Sequence, residues 1–331
     1  MLNKIIILIS IQFLLSYEIF DNIEDYKFTS NTYIASANID NLYNFLNPAC
    51  NSLDKNKYIN TSIDNYYEGI LKSNSVFFST EIKYLKKINI SLISNRIENI
   101  YNTTDAWSDS GNGIIEFDDI DYSKITNFNH NTLGIIFSKS YQLDTSKLPF
   151  FKNSFIKYGI NSKLSFSSLL SQKSFYHSFD FGILYVNPNY FSSSISPNFG
   201  ILIKNILPLK YWTTGNFENK NSSLILGSSI NLSEIINFKN SSSFLNLDFD
   251  LLKFKLNDLG FGYSFKIEEN QIKLNLNKSQ THNSLCVMLR FNKQIDIAYI
   301  LMIPQSEHLS NSQKINFGFN TEFLKNKITN I

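Results

Sequence analysis

The feature that most limits the fold of this chain is an alternation of apolar and polar residues that recurs from about residue 59 to the end. Alternation gives a strand one apolar and one polar face, because successive side chains point to opposite sides. It is clearest at 76–84, 156–166, 179–185, 245–251, 261–267, 272–277 and 315–323. Such strands are typical of an antiparallel sheet between an apolar phase and water, rather than of a buried parallel sheet.

These stretches predict about fourteen strands, most of them about ten residues long. Strands of that length suit a tilted crossing of an outer membrane, whereas strands of soluble sandwiches more often have about five or six residues. The predicted strands lie near 59–66, 75–85, 88–99, 131–142, 154–168, 174–186, 198–206, 222–232, 244–254, 259–268, 271–278, 284–291, 295–303 and 313–323.

The predicted connections differ in length, as in barrels with short periplasmic turns and longer outer loops. The short ones are Lys86-Lys87, Glu269-Asn270 and Asn292-Lys293, and the long ones are 187–197, 207–221 and 304–312.

Composition supports the same interpretation. The chain has 29 Phe and 18 Tyr but only 18% charged residues, so many rings must lie outside a protein interior. A net charge of +2 without a Lys/Arg cluster argues against a nucleic-acid surface. We therefore predict an all-β protein, a transmembrane antiparallel β-barrel whose outward side chains meet lipid. The alternative is a soluble secreted β-sandwich or adhesin.

The N-terminus predicts export, which together with the strand pattern predicts an outer-membrane location. Lys4 precedes an apolar run from Ile5 to Leu15, which fits a signal peptide over 1–16 and is too short for a preferred membrane-spanning helix. The rest divides into an N-terminal leader and plug (17–58), the barrel (59–323) and a C-terminal tail (324–331).

A short helix is predicted before the strands. Ile34, Leu42, Phe45 and Leu46 recur at helical spacing, and Pro48 should end the helix at Leu46 and turn the chain. We interpret it as a short helical plug inside the barrel. An amphipathic surface helix is the alternative.

The sequence gives no support for an enzyme. Its four histidines are far apart, and there is no Gly-rich phosphate loop, nucleophile elbow or zinc motif, so we predict no catalytic residue, metal or cofactor. The acidic stretch 105–121 makes a calcium site conceivable, but its order of residues does not fit an EF-hand and favours a solvated loop.

A few polar residues are predicted to face the barrel interior. They are Asp180, Asp248 and Asp250, together with Arg290, and a wet lumen explains them better than catalysis does. Cys50 and Cys286 are the only cysteines, and Cys286 shares its strand face with Arg290. Export permits a disulfide between them if the plug lies inside, and two thiols are the alternative.

Several stretches together resemble the PorV-like outer-membrane proteins, within the wider FadL-type barrels. The resemblance rests on Ala35 to Leu46 followed by Asn47-Pro48-Ala49, and on 179–185, 198–206 and 224–229. The residue after Asn-Pro-Ala is usually Gly and here is Cys50, and the chain runs past Phe323, where such barrels commonly end on an aromatic residue.

The resemblance implies a fourteen-stranded barrel with an N-terminal plug that carries the Asn-Pro-Ala turn. PorV-like members receive exported proteins at the outer membrane with the type IX secretion apparatus. FadL-like members pass hydrophobic molecules through a plugged barrel. Lipid, secreted clients, secretion components and a hydrophobic ligand are therefore the expected partners.

Overall fold

A computed structural model shows a barrel. It describes residues 46–52, 58–82, 86–106, 120–145, 154–187, 197–218, 221–233, 235–236, 240–279, 282–292, 294–306 and 309–321. The predicted signal peptide, the leader and plug helix up to residue 45, the acidic stretch 107–119 and the tail 324–331 lie outside these residues. Among the described residues, no helix is long and apolar enough to cross a membrane.

The described chain is almost entirely strand. Its short 3-10 helices are Pro48–Ser52, Tyr67–Gly69 and Tyr122–Lys124. The strands are β1 Tyr58–Tyr66, β2 Leu71–Ile82, β3 Lys86–Asn102, β4 Thr126–Leu143, β5 Phe155–Leu169, β6 Gln172–Val186, β7 Pro197–Trp212, β8 Phe217–Glu218, β9 Ser223–Asn231, β10 Ser241–Asp250, β11 Lys255–Ile267, β12 Asn270–Ser279, β13 His282–Phe291, β14 Ile295–Pro304 and β15 Ser312–Asn320.

The long strands form one closed sheet. Each pairs antiparallel with the long strands before and after it in the chain, and β1 pairs with β15, Ile63 lying opposite Ile315. Only the two-residue β8 lies outside this circle, as a branch on β7, so the described barrel has fourteen strands. The prediction of a barrel of about fourteen strands is confirmed, and the β-sandwich alternative is wrong because there is no second sheet among the described residues.

The two faces of the sheet differ as the alternation requires. Large apolar side chains on the outer face are exposed, among them Ile63, Phe137, Ile160, Phe199, Leu276, Leu285, Tyr299 and Ile315. Small polar side chains on the inner face are buried, among them Ser62, Ser91, Asn161, Ser229, Asn246, Asn275 and Asn316. An apolar outer face without a free sheet edge is what a bilayer requires of a strand protein.

The connections depart from the sequence-based expectation. Lys86-Lys87 is not a turn but the start of β3, and 207–212 is not a loop but the last part of β7. The ends of β6 and β7 that flank 187–196 lie at the same end of the barrel as the tight turn between β11 and β12, so the predicted loop lengths do not separate the two ends. In an antiparallel meander the end at which a connection lies follows from strand order, not from its length.

Candidate functional site

The residues before β1 form a buried turn against the inside of the barrel wall. We call Asn47–Cys50 the plug turn. Asn47 Oδ1 accepts a hydrogen bond from Ala49 N at 3.0 Å, and Cys50 N donates to Asn47 O at 3.0 Å. Asn47 Nδ2 also donates to Ile183 O on β6 at 3.3 Å. Pro48 has a fixed φ and lacks an N–H, which suits the first position of the short helix. One asparagine thus closes the turn and ties it to the wall.

Two opposed glycines make room for this turn. Gly159 on β5 lies directly opposite Gly182 on β6. A Cβ on Gly159 would lie 2.8 Å from Ala49 N and closer still to the carbonyl of Pro48. A Cβ on Gly182 would lie 2.9 Å from Pro48 Cδ and closer still to Asn47 Oδ1. We call this pair the glycine notch, and no residue with a side chain fits there without moving the turn.

The ends of the turn join two separate apolar clusters. Leu46 belongs to a cluster with Phe77, Ile93, Ile136 and residues of β13 and β14, including Cys286. Cys50 belongs to another, with Ala49, Leu184, Val186 and Phe244. Both cysteines are thiols, so the disulfide that the sequence left open is not formed here. Burial raises the pKa of the Cys50 thiol above its usual value, with a further increase from Asp248 and an opposing effect of Lys157.

A charged hydrogen-bond network lies further along the same wall. Lys163 Nζ is 2.6 Å from Asp180 Oδ1, and Asn205 N donates to that carboxylate oxygen at 3.0 Å. Lys163 Nζ and Tyr176 OH donate to Asn205 Oδ1 at 2.8 and 3.2 Å. Asn161 Nδ2 donates to Asp180 Oδ2 at 3.5 Å. Both members of this buried ion pair therefore have further hydrogen-bond partners, as a buried charge needs.

The network holds an irregular part of β7. The pairing of β6 with β7 shifts twice between His177 and Phe181. Asn205 and Leu207 have φ of 53° and 49°, which is unusual for residues other than glycine. The backbone N–H of Asn205 donates to the carboxylate of Asp180, and the backbone carbonyl of Asn205 accepts from Ser222 Oγ at 2.7 Å. At this bulge, side chains thus form the hydrogen bonds that a neighbouring strand would otherwise make with the backbone of Asn205, because buried backbone groups need a partner.

Of the other polar residues singled out in the sequence, Asp248 lies close enough to the plug turn to act on Cys50, and Asp250 and Arg290 make separate contacts. Asp248 is buried on β10, and Asp250 Oδ1 accepts the N–H groups of Leu252 and Lys253 at 3.0 and 3.2 Å. Arg290 makes two bonds, of 2.7 and 2.8 Å, to Asp296 on β14. With Asp180 on β6, these residues belong to three local arrangements and not to one site. The described residues contain no group of His, Cys, Asp and Glu placed to hold a metal ion.

Sequence reasoning missed the glycine notch and the lysine of the network. Gly159, Lys163 and Gly182 lie inside stretches that predict strands, on the polar face, so no periodicity signal distinguishes them. A glycine inside a strand indicates close approach of another backbone, but eight glycines lie inside the described strands, so this signal does not single out the two of the notch. That the two glycines lie opposite each other follows only from the register of β5 and β6.

Comparisons with known proteins show no match to a protein-family model or a curated protein. Solved structures do match. One is the KdgM porin in complex with disordered oligogalacturonate, with 7% sequence identity and a TM-score of 0.32. The match covers 80% of this chain and 98% of the porin chain. A mutant of the Rh. blastica porin is 7% identical with a TM-score of 0.30 over the same shares.

The architecture is that of an outer-membrane barrel. This conclusion rests on the closed antiparallel sheet and its apolar outer face, because TM-scores this low carry no argument of their own. The comparisons do not support the PorV-like or FadL-type resemblance in particular, so both stay hypotheses.

Proposed function

We propose that this chain is a closed outer-membrane barrel that supports protein secretion or surface attachment, in the manner of PorV-like proteins of the type IX secretion apparatus. The observation that carries the proposal is the burial of inward side chains in the described part of the barrel. The plug turn lies in the glycine notch, and inward side chains such as Ser62, Asn161 and Asn246 are fully buried. A barrel that docks other proteins can be closed, whereas a pore cannot.

A projecting aromatic surface supports the docking role. Phe166 on β5, Phe175 on β6, Tyr211 on β7 and Phe217 on β8 are each opposite the next, in a row across the outer face. All four are exposed, Phe217 at 71%. Neighbouring rings are 5.1 Å apart for Phe166 and Phe175 and 4.8 Å apart for Tyr211 and Phe217. Exposed apolar patches of this kind commonly mark protein or membrane contacts.

Side-chain contacts connect the two strands of the hairpin that ends this row. β7 pairs with β9 only up to Lys204, so Tyr211 lies well beyond that seam. Glu218 accepts from Trp212 Nε1 at 2.8 Å and lies 3.2 Å from Lys210 Nζ. Lys210 Nζ also lies 5.0 Å from the centre of the Trp212 ring. A preorganised aromatic surface loses little conformational entropy when a partner binds.

Passage of small polar solutes is the second candidate function, because serine and asparagine dominate the inner wall, as in a hydrated pore. A FadL-like conduit for hydrophobic molecules would need a continuous apolar path beside the plug turn. The apolar cluster around Leu46 lies beside the turn, but many small polar side chains line the inner wall beyond it. Planar-bilayer conductance separates the candidates: a docking barrel gives no steady current, and a pore does.

The secretion role can be tested with hairpin variants in a deletion strain. We expect deletion to retain secreted proteins inside the envelope, and Tyr211→Ser with Phe217→Ser to do the same although the barrel still folds. Phe254→Ser is the matched control, since Phe254 is 84% exposed in the turn after β10. Quantitative proteomics of medium and periplasm gives the readout. Normal secretion in the deletion strain would refute the proposal.

A further inference from the structure

The outer wall of β1–β4 has a depression that the secretion proposal does not use. It has a volume of about 340 Å³. Its apolar lining includes Ile63, Val76, Leu92 and Leu133, which are all exposed on the outer face. Asn74 and Ser94 also line it and lie opposite each other on β2 and β3. The smaller polar side chains lie between larger apolar ones, which creates the hollow.

Two cations lie immediately beyond this depression. Lys72 and Arg96 are opposite each other, two residues further along the same faces of β2 and β3. Lys72 Nζ is 2.6 Å from Glu98 Oε2, and Arg96 Nε is 3.1 Å from Glu98 Oε1. Two positive groups therefore share one carboxylate, and both cations are half exposed. The cluster keeps a net positive charge and can accept an anion.

The order of these residues along the wall is that of the parts of a phospholipid. Val76 and Leu92 come first, then Asn74 and Ser94, and then the two cations. Adjacent same-face residues are about 7 Å apart along a strand. One headgroup layer of a bilayer is similar, about 5–8 Å thick. Apolar, hydrogen-bonding and cationic groups thus succeed one another over the distance that separates an acyl chain from its phosphate.

We propose that this surface binds an anionic phospholipid of the surrounding membrane. One acyl chain lies in the depression, the ester region contacts Asn74 and Ser94, and the phosphate lies on Lys72 and Arg96. The apolar lining on a lipid-facing wall argues for a lipid rather than a soluble anion. Arg96 contacts Glu98 through Nε, which is one of several N–H donors that a guanidinium can offer to a phosphate. The residues of this site belong neither to the plug turn nor to the row of exposed rings that ends at Phe217.

The test is binding of phosphatidylglycerol to the delipidated barrel in neutral detergent, followed by native mass spectrometry. Phosphatidylglycerol should bind more tightly than phosphatidylcholine. Lys72→Gln with Arg96→Gln should weaken its binding about tenfold or more, because each basic group near an anionic lipid contributes measurably. Ser94→Leu should weaken binding by filling the depression, and Glu98→Gln should strengthen it.

Lys173→Gln is the matched control, since Lys173 is exposed on β6 away from the depression, and it should bind as the unaltered barrel does. Heat-dependent gel migration verifies that each variant is folded. Equal binding by the double variant and the control would overturn the proposal. So would inorganic phosphate binding as tightly as the lipid, which indicates an anion site without an acyl chain. A change in oligomeric mass in place of lipid loss would instead assign this face to contacts between copies of the chain.

Discussion

The inner walls of β4–β7 and of β1–β3 both carry many small polar residues but differ in their bonding. On the first wall, Lys163 and Asp180 bind each other and also bind Asn205. On the second wall, several buried side-chain oxygens, those of Asn60, Ser73, Asn89, Ser91 and Asn95, have no hydrogen-bond partner among the described residues. An unpaired buried charge costs several kcal/mol, whereas an unpaired hydroxyl or amide costs far less. Buried charges therefore need partners on both walls, as Asp64 on β1 has in Lys314 Nζ at 3.8 Å on β15, whereas the buried amides and hydroxyls of β1–β3 can stay unpaired.

The bonded wall is also the one that holds the plug turn. The glycine notch and Ile183 belong to β5 and β6. They lie between the charged network and the end of the barrel at which β5 begins and β6 ends. The plug turn keeps its position only if β5 and β6 keep their register, because a shift of either strand would move one glycine of the notch relative to Asn47. The comparison thus predicts larger effects of substitution on β5 and β6 than on β1–β3.

The largest effect is expected at Asp180. Asp180→Ala leaves Lys163 charged and buried, and leaves the N–H of Asn205 without its acceptor, so the free energy of unfolding should fall by about 3–5 kcal/mol. Urea unfolding in phospholipid vesicles measures this. The double variant Asp180→Leu with Lys163→Met removes both charges and should recover much of the loss. An Asp180→Ala barrel as stable as the original would show that the network is not needed.

A smaller loss is expected at the glycine notch. Gly159→Ala places a Cβ against the backbone of Pro48 and Ala49, which cannot rotate away, so we expect about 1–3 kcal/mol of destabilisation. The turn should also be displaced, which exposes Cys50. Maleimide labelling in a Cys286→Ala background measures this exposure. Labelling as slow as with Gly159 intact would contradict the notch.

The pH dependence of Cys50 gives a third test. Its pKa is raised above the ordinary value of 9.0, so its contribution to stability is fully present below pH 9.0 and is lost as the pH rises, because the unfolded chain then ionises and the folded thiol does not. The loss should be about 1.4 kcal/mol per pH unit above that value. Unfolding from pH 7 to 10, compared with Cys50→Ala, isolates this effect. Identical pH profiles would refute it.

The smallest effect is expected on the other wall. Ser91→Ala removes a buried hydroxyl without a protein partner, so stability should change by less than about 0.5 kcal/mol or rise slightly. The same urea assay measures it. A loss as large as that of Asp180→Ala would mean that the two walls do not differ.

Much of the fold could be predicted from local pattern. The strands that contain Phe179–Tyr185 and Phe261–Ile267 lie where their alternation predicts them, because a side-chain period of two needs no knowledge of the partner strand. The errors occurred at ends and connections. Lys86-Lys87 has the polarity of a turn but begins β3, since its pairing with β2 continues there.

The candidate site was only partly predictable. Asn47-Pro48-Ala49 indicates a sharp turn on its own, because Pro48 restricts both itself and Asn47. Nothing local relates this turn to Gly159 and Gly182. They are separated from it by more than a hundred residues, and they lie opposite each other only in the register of β5 and β6.

The sequence by itself determined that this chain forms two-faced strands and a turn at Pro48, since both follow from the stereochemistry of neighbouring residues. Only the tertiary structure decided which polar groups meet inside the barrel. Pairing of β5, β6 and β7 brings Lys163 and Asn205 to the carboxylate of Asp180, and it forms the glycine notch that holds the plug turn. Such contacts depend on strand register, which residues close in sequence do not set.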